Sequence, residues 1–191
     1  MSLLEVQLEA RNLLQQRPLF LHCKSTGAAE LSEVVEIAIL DSDGAPLVDE
    51  LAKPKRHIRQ VATLEHGITD EMVEHAPKWG EILPQVEEIL ARKTVVVYDL
   101  ATELLVLRNS YQNDHHRWAL DQTHFFDLME LFSRHKNERS SPTGLLKVFS
   151  LEEATHKLGI DIEIIGYRRA REDAWLMRAL LLAIAGWKVY Y

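Results

Sequence analysis

The run "KTVVVYDL", residues 93 to 100, limits what this chain can fold into more than any other stretch. Val95, Val96, Val97 and Tyr98 follow one another without a polar face. A strand wet on one side alternates, so a continuous β-branched run implies a strand covered on both faces. Helices must then flank the sheet that holds it. Upstream, "EVVEIAILDSDGAPLVDELAKP" reads as a hairpin, with "DSDG" as its turn and Pro54 closing the second strand. Residues 19–24 precede it as another strand. Three strands near the N-terminus, a fourth after a helix, and then helices describe an α/β layer architecture.

The helical segments follow from periodicity and end signals. "MSLLEVQLEARNLLQQRP" repeats Leu and Val at helical spacing over residues 3–15, and Pro18 ends it. "GITDEMVEHAP" opens a helix with Thr69 or Asp70 as N-cap, and "WGEILPQVEEILA" repeats at period 3.6. Further helices are expected over 101–112, over "QTHFFDLMELFSRH", and over 169–186. Ser150 and Glu153 form a capping box that opens "SLEEATHKLG", and "NERSSPTG" is a loop.

Size and charge bound the function. A chain of 191 residues, 47% hydrophobic, suits one domain with a real core (1–191, the N-terminal helix at 1–17 and the core at 18–187). Its formal charge of −7 means that any nucleic-acid contact must use a local basic patch. Cys23 is the only cysteine, which excludes an internal disulfide and a cysteine-based zinc cluster and fits a reducing cytoplasm. No export signal is legible at the N-terminus. The most apolar stretch, "AWLMRALLLAIAGW", contains Arg178 and falls short of the ~20 apolar residues of a bilayer span, so no membrane partner is expected.

The chemistry centres on "FLHCKSTG", residues 20 to 27, where alternate residues of a strand present His22 and Lys24 together. Its context resembles the four-carboxylate (DEDD-type) 3′–5′ exonucleases, the group that includes RNase T and the proofreading subunit of bacterial DNA polymerase III. That family has an apolar strand followed by D-x-E-T-T-G, matched by "FLHCKSTG". Its E-I-V-E-I-A strand, D-x-D-G hairpin and H-G-I-T segment are matched by "EVVEIAILDSDG" and "EHGITDEMVEHAP". Its V-x-x-N-A-x-F-D motif corresponds to "VVYDLATE", and H-R-A-x-x-D-A corresponds to "RRAREDA". The similarity runs from about residue 10 to 186. It implies an RNase H-like fold, a central mixed sheet with helices on both faces.

The resemblance also implies a site of two Mg²⁺ or Mn²⁺ ions, four carboxylates and a histidine base. Position by position, the first Asp is His22, the Glu is Lys24, the second-motif Asp is Glu103, the base falls on Arg168, and the last Asp is kept as Asp173. In the family's tyrosine variant the base falls on Arg169. Two dications ~4 Å apart repel by ~17 kcal/mol at an effective dielectric of about 20. Lys24, Glu103, Asp173 and a near-neutral His22 leave little negative charge to offset that. Protonated lysine offers no lone pair, and arginine cannot accept a proton near neutral pH. No cofactor is therefore expected, with Mn²⁺ or Mg²⁺ held weakly at best.

Three functions stay open at this level. The first is a nucleic-acid-binding exonuclease homologue with a degenerate, inactive or severely impaired site. The second is an active exonuclease or phosphodiesterase with one ion at His22, Glu103 and Asp173, a donor set suited to Mn²⁺ or Zn²⁺. The third is a protein-interaction or regulatory subunit. Lys24 is expected to pair with Glu103 or Asp173 in the lost cations' place. Lys24, Arg168, Arg169 and Arg171 are also candidates to hold a phosphate of single-stranded DNA or RNA or of a nucleotide. Arg168–Glu172 and Arg169–Asp173 at i,i+4 are the competing internal pairs. "KPKRHIR", residues 53 to 59, is a second basic cluster. His66 is read as setting a turn beside Gly67, Asp127 as a non-ligand, Tyr98 and Asp99 as flanking the cleft. Adjacent His115 and His116 lack the i,i+4 spacing of a helical zinc pair. Exposed strand edges and the apolar last helix are compatible with a homodimer.

Overall fold

The structure, a computed structural model, describes residues 2–27, 30–121, 124–160 and 167–189. Among these described residues the centre is a five-stranded mixed sheet. β1 (Leu19–Ser25), β2 (Val34–Leu40) and β3 (Pro46–Leu51) form an antiparallel meander, and β4 (Val95–Val97) and β5 (Phe125–Asp127) add parallel to β1, giving the order β3-β2-β1-β4-β5. The β2–β3 turn is the expected "DSDG": Asp41 accepts from the Asp43 and Ala45 amides at 2.9 Å each, and Gly44 takes a positive φ of 93°. β4 is buried along its whole length, as its uninterrupted valines require.

Strand alternation sorts the core into two layers. Leu19, Leu21, Ile37, Ile39, Val95 and Val97 face α4 (Trp79–Leu90) and α5 (Leu100–Asn113). Phe20, Ala38, Leu40 and Val96 face the other way, against α1 (Leu3–Gln15), α6 (Leu128–Lys136), α7 (Leu151–Lys157) and α8 (Ala170–Ile184). Residues 122–123 of the expected helix "QTHFFDLMELFSRH" lie outside the described residues. Residues 128–135 are helical as expected, within α6, whereas Phe125–Asp127 pairs with β4 as an edge strand before that helix begins. Asp127 stops that strand by capping α6, accepting from the Met129 and Glu130 amides. Two short helices, α2 (Gln60–His66) and α3 (Asp70–Val73), follow β3. Of these the sequence signals only α3, whose N-cap is Thr69. Among the described residues no helix is long and apolar enough to cross a membrane.

Candidate functional site

β1 aims His22 and Lys24 to the Phe20 side, the side of α8, with His22 opposite Ala38 and Lys24 opposite Glu36 on β2. α8 starts at Ala170, so Asp173 lies in its first turn. Glu103 lies in the first turn of α5, whose N-cap Asp99 accepts from the Thr102 amide and hydroxyl. Three elements thus bring His22, Lys24, Glu103 and Asp173 to one place.

Asp173 is the hub. Its Oδ2 lies 2.5 Å from Lys24 Nζ and 3.1 Å from His22 Nε2, and its Oδ1 meets Arg168 Nε. On the opposite edge of the imidazole, His22 Nδ1 lies 3.4 Å from Glu103 Oε2. Lys24 is 6% exposed, Glu103 4% and Asp173 2%. Burial alone would lower the His22 pKa, but the Glu103 charge and the Asp173 hydrogen bond outweigh it and raise the ring to about 9. Burial likewise pushes Asp173 up, and His22, Lys24 and Arg168 together bring it down to about 2. The expectation of a near-neutral His22 is therefore corrected: the ring is an imidazolium between two carboxylates at neutral pH. Three cations then face two carboxylates. The Cys23 thiol lies against Glu103, and burial with that charge holds it protonated.

This donor set does not fit a pair of divalent ions. Each oxygen of the one carboxylate retained from the family pattern already faces a cation, and Lys24 brings positive charge into the same space. Nor do His22, Glu103 and Asp173 share one open point, because the imidazole stands between the two carboxylates with a nitrogen toward each. Among the described residues no three His, Cys, Asp or Glu side chains are arranged to hold a metal ion.

The arginines divide. Arg168 joins the site, and its Nη1 stands 4.0 Å from the exposed Glu152 of α7. Arg169 pairs instead with Glu36, a buried carboxylate that also accepts the Ala170 amide at 2.8 Å. Arg171 reaches Asp49 on β3 at 3.0 Å. The anticipated i,i+4 pairs are corrected, because both arginines precede α8: Arg169 is its N-cap and Glu172 turns back to the Arg169 amide. Glu36 stands in the "EVVEIA" strand, but no spacing pairs it with Arg169, which lies 133 residues away.

The remaining candidates resolve by their partners. His66 is buried; its Nδ1 accepts the Ile68 amide at 3.0 Å and its Nε2 donates to Ser25 O at 3.1 Å, which fixes the turn at Gly67. Gly67 has φ 73°, and a Cβ there would collide with the Tyr167 ring. Asp127 holds the Leu100 amide as well as its own cap, so it is structural. Tyr98 donates its buried hydroxyl to the carbonyls of Phe149 and Ser150. His116 lies 3.8 Å from Asp114, whose carboxylate receives the Gly80 amide of α4.

The geometry has relatives. The RNase T exonuclease family model matches residues 23–167. An uncharacterized exonuclease, CP81, of Escherichia phage 186 is 29% identical over 181 residues, 92% of each chain. Exonuclease X, solved with 5′-overhanging duplex DNA, superposes with a TM-score of 0.62 at 18% identity, over 89% of this chain and 93% of its own. The nuclease domain of 3′hExo, a DEDDh family member solved with rAMP, gives 0.66 at 13% identity, over 87% and 91%. The mixed sheet with helices on both faces is thus the RNase H-like exonuclease fold, and the chain belongs to the RNase T exonuclease family.

Proposed function

We propose that the chain is a nucleic-acid-binding member of this exonuclease family whose two-metal hydrolysis is lost or severely impaired. One observation carries the reading: both oxygens of Asp173 face internal cations, with Lys24 Nζ at 2.5 Å and Arg168 on the other oxygen. An ion pair buried in this way fills the space and balances the charge that divalent cations would otherwise supply. A guanidinium group offers no acceptor for a proton, so Arg168 cannot act as the base. Its outer guanidinium nitrogens keep donors to spare, with only Glu152 at 4.0 Å as a further partner among the described residues, and they suit a phosphate oxygen. Support for nucleic acid as the ligand comes from relatives solved with duplex DNA and with a mononucleotide.

The test is release of mononucleotides from labelled single strands with Mg²⁺ or Mn²⁺, run beside a binding titration in salt. Salt-sensitive binding without turnover is the expected result. Metal-dependent release that Asp173→Ala and Glu103→Ala both abolish overturns the reading in favour of an active enzyme with a reduced metal set. Absence of binding and of turnover points to the protein-interaction alternative.

A further inference from the structure

The second basic cluster is built unlike a surface loop. Its backbone is pinned at four amides between Lys55 and Arg59. Glu33, 3% exposed, accepts the Lys55 and Arg56 amides at 2.8 and 3.0 Å. Asp70 accepts the Ile58 amide and Thr26 O accepts that of Arg59, both at 2.9 Å. Asn113 holds the other oxygen of Glu33. A buried carboxylate and an anchored turn thus fix where Arg56 and Arg59 emerge.

Their guanidinium groups are left without a carboxylate among the described residues, although the chain carries 29 acidic residues against 22 basic ones. Arg17, Arg134, Arg168, Arg169 and Arg171 all have such a partner. Arg56 and Arg59 both line a groove of about 670 Å³ with Gly27, Ser32, His57 and one carboxylate, Glu30. Arg59 lays its stem over Gly27, where an added Cβ would come within 2.7 Å of Arg59 Cδ. Gly27 lies just past the end of β1, the strand that supplies His22 and Lys24. The groove therefore lies just past the end of the strand that carries His22 and Lys24, with its charge set on a rigid frame that loses little freedom on binding.

We propose that Arg56 and Arg59 form a phosphate-backbone track for single-stranded nucleic acid leading to the β1 end of the site. The proposal rests on the nucleic-acid-binding reading and assigns part of that binding to residues outside the family's metal positions. Guanidinium forks suit phosphate oxygens, and a fixed pair of them gives the strand a direction of approach.

The experiment titrates a labelled oligothymidylate with the full chain from low to moderate salt, without metal. An Arg56→Gln/Arg59→Gln variant is compared with Lys93→Gln. Lys93 precedes β4, which pairs alongside the start of β1, so it lies at the other end of that strand, about 20 Å away. Each lost contact lowers the slope of log K against log salt by ~0.7 for a single strand, so the double variant loses about 1.4. Lys93→Gln leaves the slope alone, and an unchanged melting temperature shows that the double variant is folded. Wild-type binding with an unaltered slope in the double variant, or an equal loss in Lys93→Gln, overturns the track while leaving the wider reading in place. No wild-type binding overturns both.

Discussion

Lys24 Nζ and Asp173 Oδ2 are 2.5 Å apart across 149 residues of chain, and both groups are almost wholly shielded from water. A pair like this is asymmetric in its response to mutation. Asp173→Asn leaves Lys24 and His22 as buried cations with one carboxylate between them, and removing one partner of a buried pair costs ~3–5 kcal/mol. Lys24→Met leaves Asp173 still facing His22 and Arg168 and costs less. Urea denaturation of the two variants checks the order. Equal losses refute the hub role of Asp173.

The same cluster sets the pH dependence. His22 rises from 6.5 to about 9 on folding, so its contribution is complete below pH 6.5 and disappears as pH climbs to about 9. Asp173 falls from 3.8 to about 2, so its contribution is complete above pH 3.8 and disappears as pH drops toward 2. Stability is highest between about pH 4 and 6.5. It declines by up to ~3 kcal/mol on the alkaline side, because each tenfold gain in proton affinity on folding is worth ~1.4 kcal/mol. Denaturation midpoints at about pH 6, 8 and 9.5 measure the decline, and His22→Gln flattens it. A wild-type curve with no alkaline limb contradicts the imidazolium assignment.

The scaffold is readable in the sequence because its signals are local. Val95–Val97 needs only its own neighbours to announce a two-sided strand, and Ser150 with Glu153 announces a helix start within four residues. β5 escapes a sequence reading for the opposite reason: three residues directly before a strong helix carry too little periodicity, and only pairing with β4 makes them a strand. The site is half legible. Spacing puts His22 and Lys24 on one face, yet the charge of His22 depends on two carboxylates from distant helices. Arg169 stands at i,i+4 from Asp173, but it caps the helix and Glu36 of β2 captures it. Long-range partners of this kind leave no trace in a single chain's spacing.

Of the arginines around α8, binding should depend on Arg168 and not on Arg171. Arg168 borders the cluster with free guanidinium donors, whereas Arg171 is spent on Asp49 at the sheet edge. Arg168→Gln is expected to lower the salt slope of oligonucleotide binding by ~0.7, the loss of one phosphate contact, and Arg171→Gln to leave it unchanged. Fluorescence anisotropy over a salt series makes the comparison. Equal effects from both would mean that general positive charge, rather than the site, attracts the strand.

Reversing the charge of the cluster tests the proposed loss of metal binding separately from the proposed loss of chemistry. His22→Asp with Lys24→Glu sets four carboxylates against one another where two carboxylates now face three cations. Their repulsion should lower the melting temperature without divalent ions and let Mn²⁺ raise it again, an effect not expected of the wild-type chain. Hydrolysis should stay weak, because the Arg168 guanidinium offers no acceptor for a proton and still occupies Asp173 Oδ1. Adding Arg168→His restores a group able to take a proton, a function worth ~10²–10⁴-fold in rate. Calorimetric titration with Mn²⁺ and a nucleotide-release assay read the two effects separately. If the double variant gains no Mn²⁺ affinity, cation substitution at His22 and Lys24 is not what keeps divalent ions out.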